Sequence, residues 1–267
     1  MKAHFFINSR LFARGRLTDS GAPWSKTVMP VRFAVLEHPS LGPILVDTGD
    51  APHMIAEKSP ALRFYYDVLK PDLGDGHTPK SALSDLGHTP ADLHSVVLTH
   101  YHADHIAGLP EIMDADLIGD RHALARLKAM SRLRRLRHAV FHQHLEPLAK
   151  GVRGFDETPA VRSETALGDG FDILGDQSLL AIPLPGHGLG HHGLMWREAD
   201  RPVLYAADTS WTMAALMNDS LPLLTRGAIF AQSRAGRDSE DRVRAFIAEG
   251  GLVHLCHDEK SSDDIAR

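Results

Sequence analysis

The segment HSVVLTHYHADH, residues 94–105, constrains this chain more than any other. Its apolar, β-branched start reads as a buried strand. That strand delivers straight into His100, His102, Asp104 and His105. In a helix, His100 and His102 would point roughly 200° apart and could not share an ion. At the extended end of a strand, residues two apart face the same side, so this pair can grip one ion. Asp104 and His105, turned by the following loop, would reach another. Capping of a short helix, HIAGL, accounts for the Asp alone and leaves the three imidazoles beside it unexplained. Two metal sites of four or five ligands exceed what one segment supplies, so the fold must bring further donors to this strand end.

Three later stretches offer them. PLPGHG places His187 after a strand and a Pro-Gly turn, LYAADTS offers Asp208, and LCHDEK offers His257 at the end of the last strand. Asp208 is a carboxylate able to bridge two ions. Imidazole and carboxylate without thiolate suit zinc, manganese or iron(II), with zinc the first expectation for hydrolysis. The 18 histidines point the same way.

The remainder reads as strands alternating with helices, with several hairpins, in 267 residues. MPVRFAVLEH and GPILVDTG form two strands joined at PSLG. TPKSALSDLG is a helix capped by Thr78, with Pro79 at its first position and Gly87 at its end. IMDADLIG reads as a short strand. Residues 120–150 form the longest helical region, with a stripe of Leu124, Leu127, Met130, Leu133, Leu136 and Val140. GDGFDILGDQSLLAIPLPG, HHGLMWREADRPVLYAAD and GAIFAQS supply further strands. DSEDRVRAFIAEGG is a helix capped by Asp238 or Ser239 and stopped by Gly250, and LVHLCHD is the last strand. No linker marks a boundary. The expectation is an α/β layered sandwich in one domain, residues 1–267, with a helical insertion at about 120–150.

A net charge of −5 argues against nucleic acid as a partner. No stretch is long and apolar enough for a membrane span, and the N-terminus lacks the apolar core of a secretory signal. One cysteine, Cys256, excludes an internal disulfide. The expected compartment is the cytoplasm and the expected partner a small-molecule substrate. A homodimer stays open.

The pattern HYHADH followed by His187, Asp208 and His257, with GPILVDTG upstream, resembles the metallo-β-lactamase superfamily. The resemblance implies a four-layer αββα sandwich with two divalent metal ions at one edge. One ion would take His100, His102 and His187. The other would take Asp104, His105 and His257, with Asp208 bridging and Asp47 orienting a ligand from behind. A hydroxide between the ions would be the nucleophile, and Asp104 could pass a proton to the leaving group. The superfamily's oxygen-reducing diiron members carry Glu at the position of His102, so a His here supports hydrolysis.

The nearest resemblance is to the acyl-homoserine-lactone lactonase-like group, implying opening of a lactone or related carboxylic ester. Those lactonases carry a Tyr three positions after the bridging Asp, where this chain has Trp211. An indole N–H can donate to a substrate carbonyl but cannot exchange a proton. Phosphodiesterase and thioesterase activities of the same superfamily are the alternatives. A metal-binding or partner-binding protein without turnover is another. The basic stretch RLKAMSRLRRLRH, 126–138, reads as an ordinary amphipathic helix packed on the body. His138, His142 and His144 read as surface histidines, His191 as structural, and Cys256 as a buried residue pointing away from His257.

Overall fold

The computed structural model describes residues 1–56, 59–112, 114–229 and 233–265. The described chain runs β1 (Lys2–Arg14), α1 (Gly15–Thr18), β2 (Lys26–His38), β3 (Gly42–Val46), α2 (Pro52–Ile55), α3 (Pro60–Leu69), α4 (Pro79–Asp85), β4 (Ser95–Val97), α5 (Ala103–Ile106), β5 (Leu117–Gly119), α6 (Arg121–Ala129), α7 (Arg132–Leu136), α8 (His142–Leu145) and β6 (Arg153–Gly154). It continues with β7 (Ala160–Arg162), β8 (Asp169–Asp172), β9 (Leu179–Pro183), β10 (His192–Glu198), β11 (Arg201–Tyr205), α9 (Met213–Asn218), α10 (Leu223–Ile229), α11 (Ser233–Ala248), β12 (Leu252–His254) and α12 (Ser262–Ile265). Two six-stranded mixed sheets result, ordered β1-β2-β3-β4-β5-β6 and β12-β11-β10-β9-β8-β7. The chain forms two compact units, one of residues 1–12 and 30–154, the other of 13–29 and 155–267. No described helix is long and apolar enough to cross a membrane.

In the first unit, β2 and β3 form the expected hairpin, with His38 opposite Gly42. β3 then pairs in parallel with β4, Leu45 opposite Val96 and Val46 opposite Val97. Ile44, Leu45, Val46, Val96 and Val97 are all fully buried, as strands covered on both faces must be. Parallel strands send their C-terminal ends the same way, which sets the turn after Val46 beside the turn after Val97. Asp47 enters the left-handed region at φ 59°, ending β3 at that point. The α4 cap is as the sequence predicts: the Thr78 hydroxyl accepts from Ser81 N–H, and Pro79 opens the helix.

In the second unit β10 is central, antiparallel to β9 and β11, while β11 runs parallel to β12. Helix α11 packs on this sheet, placing Val243 and Phe246 in a core with Leu180, Ile182, Leu204 and Val253.

Several expectations need correction. The region 120–150 is three short helices rather than one, because Met130 and Phe141 adopt extended backbone and Ala139 turns left-handed at φ 47°. Its apolar stripe is not one packed face: Leu124 and Leu127 are buried, but Leu133 is 76% exposed. Of the expected IMDADLIG strand, residues 112–119, Ile112 ends a 3-10 turn that begins at Leu109, Met113 lies outside the described residues, and Leu117–Gly119 form the paired strand. GAIFAQS is not a strand: α10 runs to Ile229, α11 begins at Ser233, and 230–232 lie outside the described residues. Neither Asp238 nor Ser239 caps α11; both lie inside it.

Candidate metal centre

The first unit builds its part around Asp47. Its carboxylate accepts from Thr99 N–H at 2.9 Å, from the Thr99 hydroxyl at 2.8 Å and from His105 Nδ1 at 2.8 Å. The Thr99 hydroxyl, having donated to Asp47, lies 3.1 Å from His100 Nδ1 and can accept from it. Both imidazoles thus have Nδ1 tethered, directly or through Thr99, to one buried carboxylate. That fixes the tautomer presenting Nε2, the arrangement that orients metal-binding histidines. The His100 ring centroid lies 4.5 Å from that of His102 and 4.0 Å from that of His105. His100 and His105 are fully buried. Asp104 Oδ2 sits 4.0 Å from His105 Nε2.

The segment's backbone is latched as well. Thr48 N–H and its hydroxyl both donate to His105 C=O, at 2.8 and 2.9 Å, and Gly108 N–H donates back to the Thr48 hydroxyl at 3.1 Å. A Cβ at Gly108 would stand 2.5 Å from Thr48 O, so only glycine permits this approach. The short helix α5 is entered through His102, and Asp104 lies in its first turn; the capping alternative for Asp104 is therefore set aside.

In the second unit, Asp208 Oδ2 lies 3.1 Å from His187 Nε2 and 3.2 Å from His257 Nε2. All three side chains are buried, at 2–3% exposure. Asp208 follows Ala207, left-handed at φ 45°, and the parallel pairing beyond β11 and β12 continues through Cys256 N–H to Ala207 C=O at 3.0 Å. His191 bonds at both ring nitrogens: Nδ1–H donates to Leu184 C=O at 2.8 Å, and Nε2 accepts from Asp208 N–H at 3.2 Å. It ties the turn carrying His187 to the backbone of Asp208. Trp211 meets His257 edge to face, centroids 6.4 Å apart. Helix α11 holds the same turn from behind: Ser239 donates to Pro185 C=O at 2.8 Å and Arg242 to Pro183 C=O at 2.9 Å.

Cys256 is buried as expected, but it does not point away from His257. β12 ends at His254, so strand alternation no longer directs the side chain. The buried Cys256 Sγ and ligand atoms of Asp208 and His257 all lie within 4.8 Å of one another. His144 is also corrected: it is fully buried, with the Tyr66 hydroxyl 3.4 Å from its Nε2. Burial pulls its pKa down to about 3, with His53 adding a smaller push.

Residues the sequence reading did not single out support the site. Thr99 and Thr48 carry the bonds above. Asn8 on β1 accepts from Asp50 N–H at 2.6 Å and donates to Asp50 C=O and His77 C=O at 3.1 and 3.0 Å. Ser9 donates to the Asp50 carboxylate at 2.7 Å. The polar pair Asn8-Ser9, directly after the apolar run Phe5–Ile7, was the available signal.

The donor set answers whether metal belongs here. In each unit buried imidazoles stand beside a buried carboxylate, and such groups need a cation or protons to be stable. The residues fit divalent ions.

The profile of the metallo-β-lactamase superfamily matches residues 33–250. An N-acyl homoserine lactonase, AttM, of Rhizobium johnstonii is 25% identical over 202 residues, covering 73% of this chain and 70% of the relative. A probable metallo-hydrolase of Mycobacterium tuberculosis is 27% identical over 183 residues, 66% of this chain and 55% of that protein. Among solved structures, the AiiA protein of B. thuringiensis with N-decanoyl-L-homoserine bound at the active site superposes at TM-score 0.71 and 18% identity, covering 100% of this chain and 96% of that one. The likeness shows the fold, the metallo-β-lactamase α/β sandwich. The chain belongs to the metallo-β-lactamase superfamily and is a hydrolase of that fold.

Proposed function

We propose that residues 1–267 act as one domain, a dinuclear metal-dependent hydrolase that opens a lactone or related carboxylic ester, with N-acyl-homoserine lactone as the leading substrate. His100, His102 and His187 would hold one ion. Asp104, His105 and His257 would hold the other, with Asp208 shared. When bound, two divalent ions, zinc first, would lower the pKa of water and polarise the substrate carbonyl. The observation that carries this reading is Asp208 Oδ2, set 3.1 and 3.2 Å from two imidazole nitrogens, a placement suited to a shared ligand.

The chain's own residues do the remaining work. Asp47, accepting Nδ1–H of His105, sets the tautomer in which Nε2 carries the lone pair and makes that nitrogen a stronger donor to a metal. Asp104 can pass a proton to the leaving alkoxide, since a carboxylate within reach can both take and return one. Trp211, packed edge-on to His257, presents an indole N–H in place of a phenol and can hold a carbonyl without exchanging a proton. The lactonase names of the relatives favour the lactone over other esters.

The test combines metal content with acid release from a long-chain acyl-homoserine lactone. About two equivalents of zinc and metal-dependent release are expected, both lost in His102→Ala, while the variant keeps its circular dichroism. Full activity in His102→Ala would sink the ligand assignment. Two metals without lactone opening would move the substrate to a phosphodiester or thioester. Trp211→Tyr should raise lactone turnover if that side chain meets the substrate; an unchanged rate removes it from the pocket.

A further inference from the structure

The arginine-rich stretch in the first unit borders an open cavity that the hydrolytic reading does not use. α7 reads RLRRL, and Arg132, Arg134, Arg135 and Arg137 fall within six residues. The chain then reverses sharply. Arg135 C=O accepts from both His138 N–H at 2.9 Å and Val140 N–H at 3.2 Å, and Ala139 turns left-handed between them. This turn folds Val140 and Phe141 back under the helix. The outcome is a cavity of about 160 Å³ bordered by Arg132, Arg135, Leu136, Val140, Phe141 and Gln143.

Its chemistry is divided. Two guanidinium groups provide charge, while Leu136, Val140 and Phe141 provide an apolar wall. Arg135 Nε is buried and has no hydrogen-bond partner, a donor left without its acceptor. No carboxylate borders the cavity among the described residues. The surrounding field is positive: burial first, then the Arg137 and Arg126 charges, push His138 below the usual imidazole range. Guanidinium groups favour flat, bidentate oxyanions, and the apolar wall favours one carrying a hydrocarbon chain.

We propose that this cavity is a binding site for a small monocarboxylate with a short acyl chain, its carboxylate paired with Arg135 and Arg132 and its chain against Val140 and Phe141. The volume is enough for a short acyl chain. Phe141 also belongs to a buried cluster with Ala103 and Ala107, which flank Asp104 and His105. The bound chain would thus rest on the packing behind the candidate ligands. The binding proposal stands without the hydrolytic reading, though ester opening releases molecules of this class.

The test titrates the metal-loaded protein with hexanoate, following backbone amides by NMR and affinity by calorimetry. Acetate, inorganic phosphate and hexylamine serve as comparison ligands. Hexanoate should shift amides of residues 132–143 saturably and bind about tenfold or more tightly than acetate or phosphate, and hexylamine should not bind. Arg135→Gln should weaken hexanoate about tenfold, with Arg135→Lys recovering only part, because lysine lacks the planar fork. Arg132→Gln, at an exposed position, gives a second reading should the Arg135 variants fail to fold. Unchanged affinity in both glutamine variants, equal binding of phosphate, or shifts confined to residues 99–108 would overturn the proposal. The last result would still be compatible with a metal centre, so the two readings fail separately.

Discussion

At the scale of single residues, the site depends on groups that would not touch metal. Asp47 accepts three hydrogen bonds, two from Thr99 and one from His105, and through them sets two imidazole tautomers. Asn tolerates the left-handed backbone of Asp47, so Asp47→Asn tests the charge and acceptor role without forcing the turn. Its amide would point an N–H at His105 or at Thr99. Metal affinity should fall about 10–100-fold, while the metal-free protein melts near the wild-type temperature. An unchanged zinc affinity by competition with a chelator would show that Asp47 only shapes the loop. The candidate ligands stood out in the sequence because four donors just beyond one strand have few structural explanations. Thr99 and Thr48 were not, since a threonine beside a ligand is too common to carry meaning until its hydroxyl's direction is known. Cys256 misled for a related reason: alternation was applied to a strand that had already ended at His254.

At the scale of elements, the His187 turn is positioned by a helix as much as by its own strand. Gly186 has φ 145°, and a Cβ there would lie 2.3 Å from the Gly236 Cα on α11. Backbone thus meets backbone, with Ser239 and Arg242 bonding carbonyls of the same turn. Neither neighbour is the flexible end of a side chain, so Gly186→Ala cannot be absorbed locally. It should destabilise the protein by about 2–4 kcal/mol through overlap and backbone strain together, measured by urea unfolding. A loss below about 0.5 kcal/mol would mean that α11 moves away at little cost. Helices and strands were read best where end signals were local, as in α4 with Thr78, Pro79 and Gly87. They were read worst where tertiary packing decides. Residues 120–150 keep an apolar period, yet Leu133 faces solvent, because periodicity reports what a helix could bury and not whether a partner surface exists.

At the scale of the whole molecule, stability carries a pH dependence traceable to one buried histidine. Burial lowers the His144 pKa from 6.5 to about 3. Below about pH 6.5 the unfolded chain takes up a proton there that the folded protein refuses, so acid favours unfolding. This contribution is fully present above that pH and is lost progressively as the pH falls toward 3. Unfolding free energies measured from pH 7 to pH 5 should fall less steeply in His144→Leu than in the wild type. Parallel curves would assign the acid sensitivity elsewhere. The sequence placed this residue on the surface because spacings of four and two around His138 suggested no common helix face; the break after α7 removes that premise. The family-level architecture was legible because the ligand order along the chain carries it. The apolar pattern alone would have left several α/β arrangements open.

The grip of Asn8 on two later loops has a consequence for the order of assembly during translation. Its partners, Asp50 and His77, lie 42 and 69 positions downstream. A Cβ at Gly76 would stand 1.7 Å from Asn8 O, and one at Gly49 would stand 2.3 Å from Asn8 Cγ, so both loops must close tightly around a segment already made. On the ribosome the first strand therefore emerges long before anything exists to satisfy its polar side chains, and chains are synthesised slowly relative to local folding. This strand, made before both loops, is among the later parts of the first unit to be sealed. Until Gly76 has left the exit tunnel, the nascent chain carries an open edge strand, and that interval is when a holdase chaperone would have most to protect.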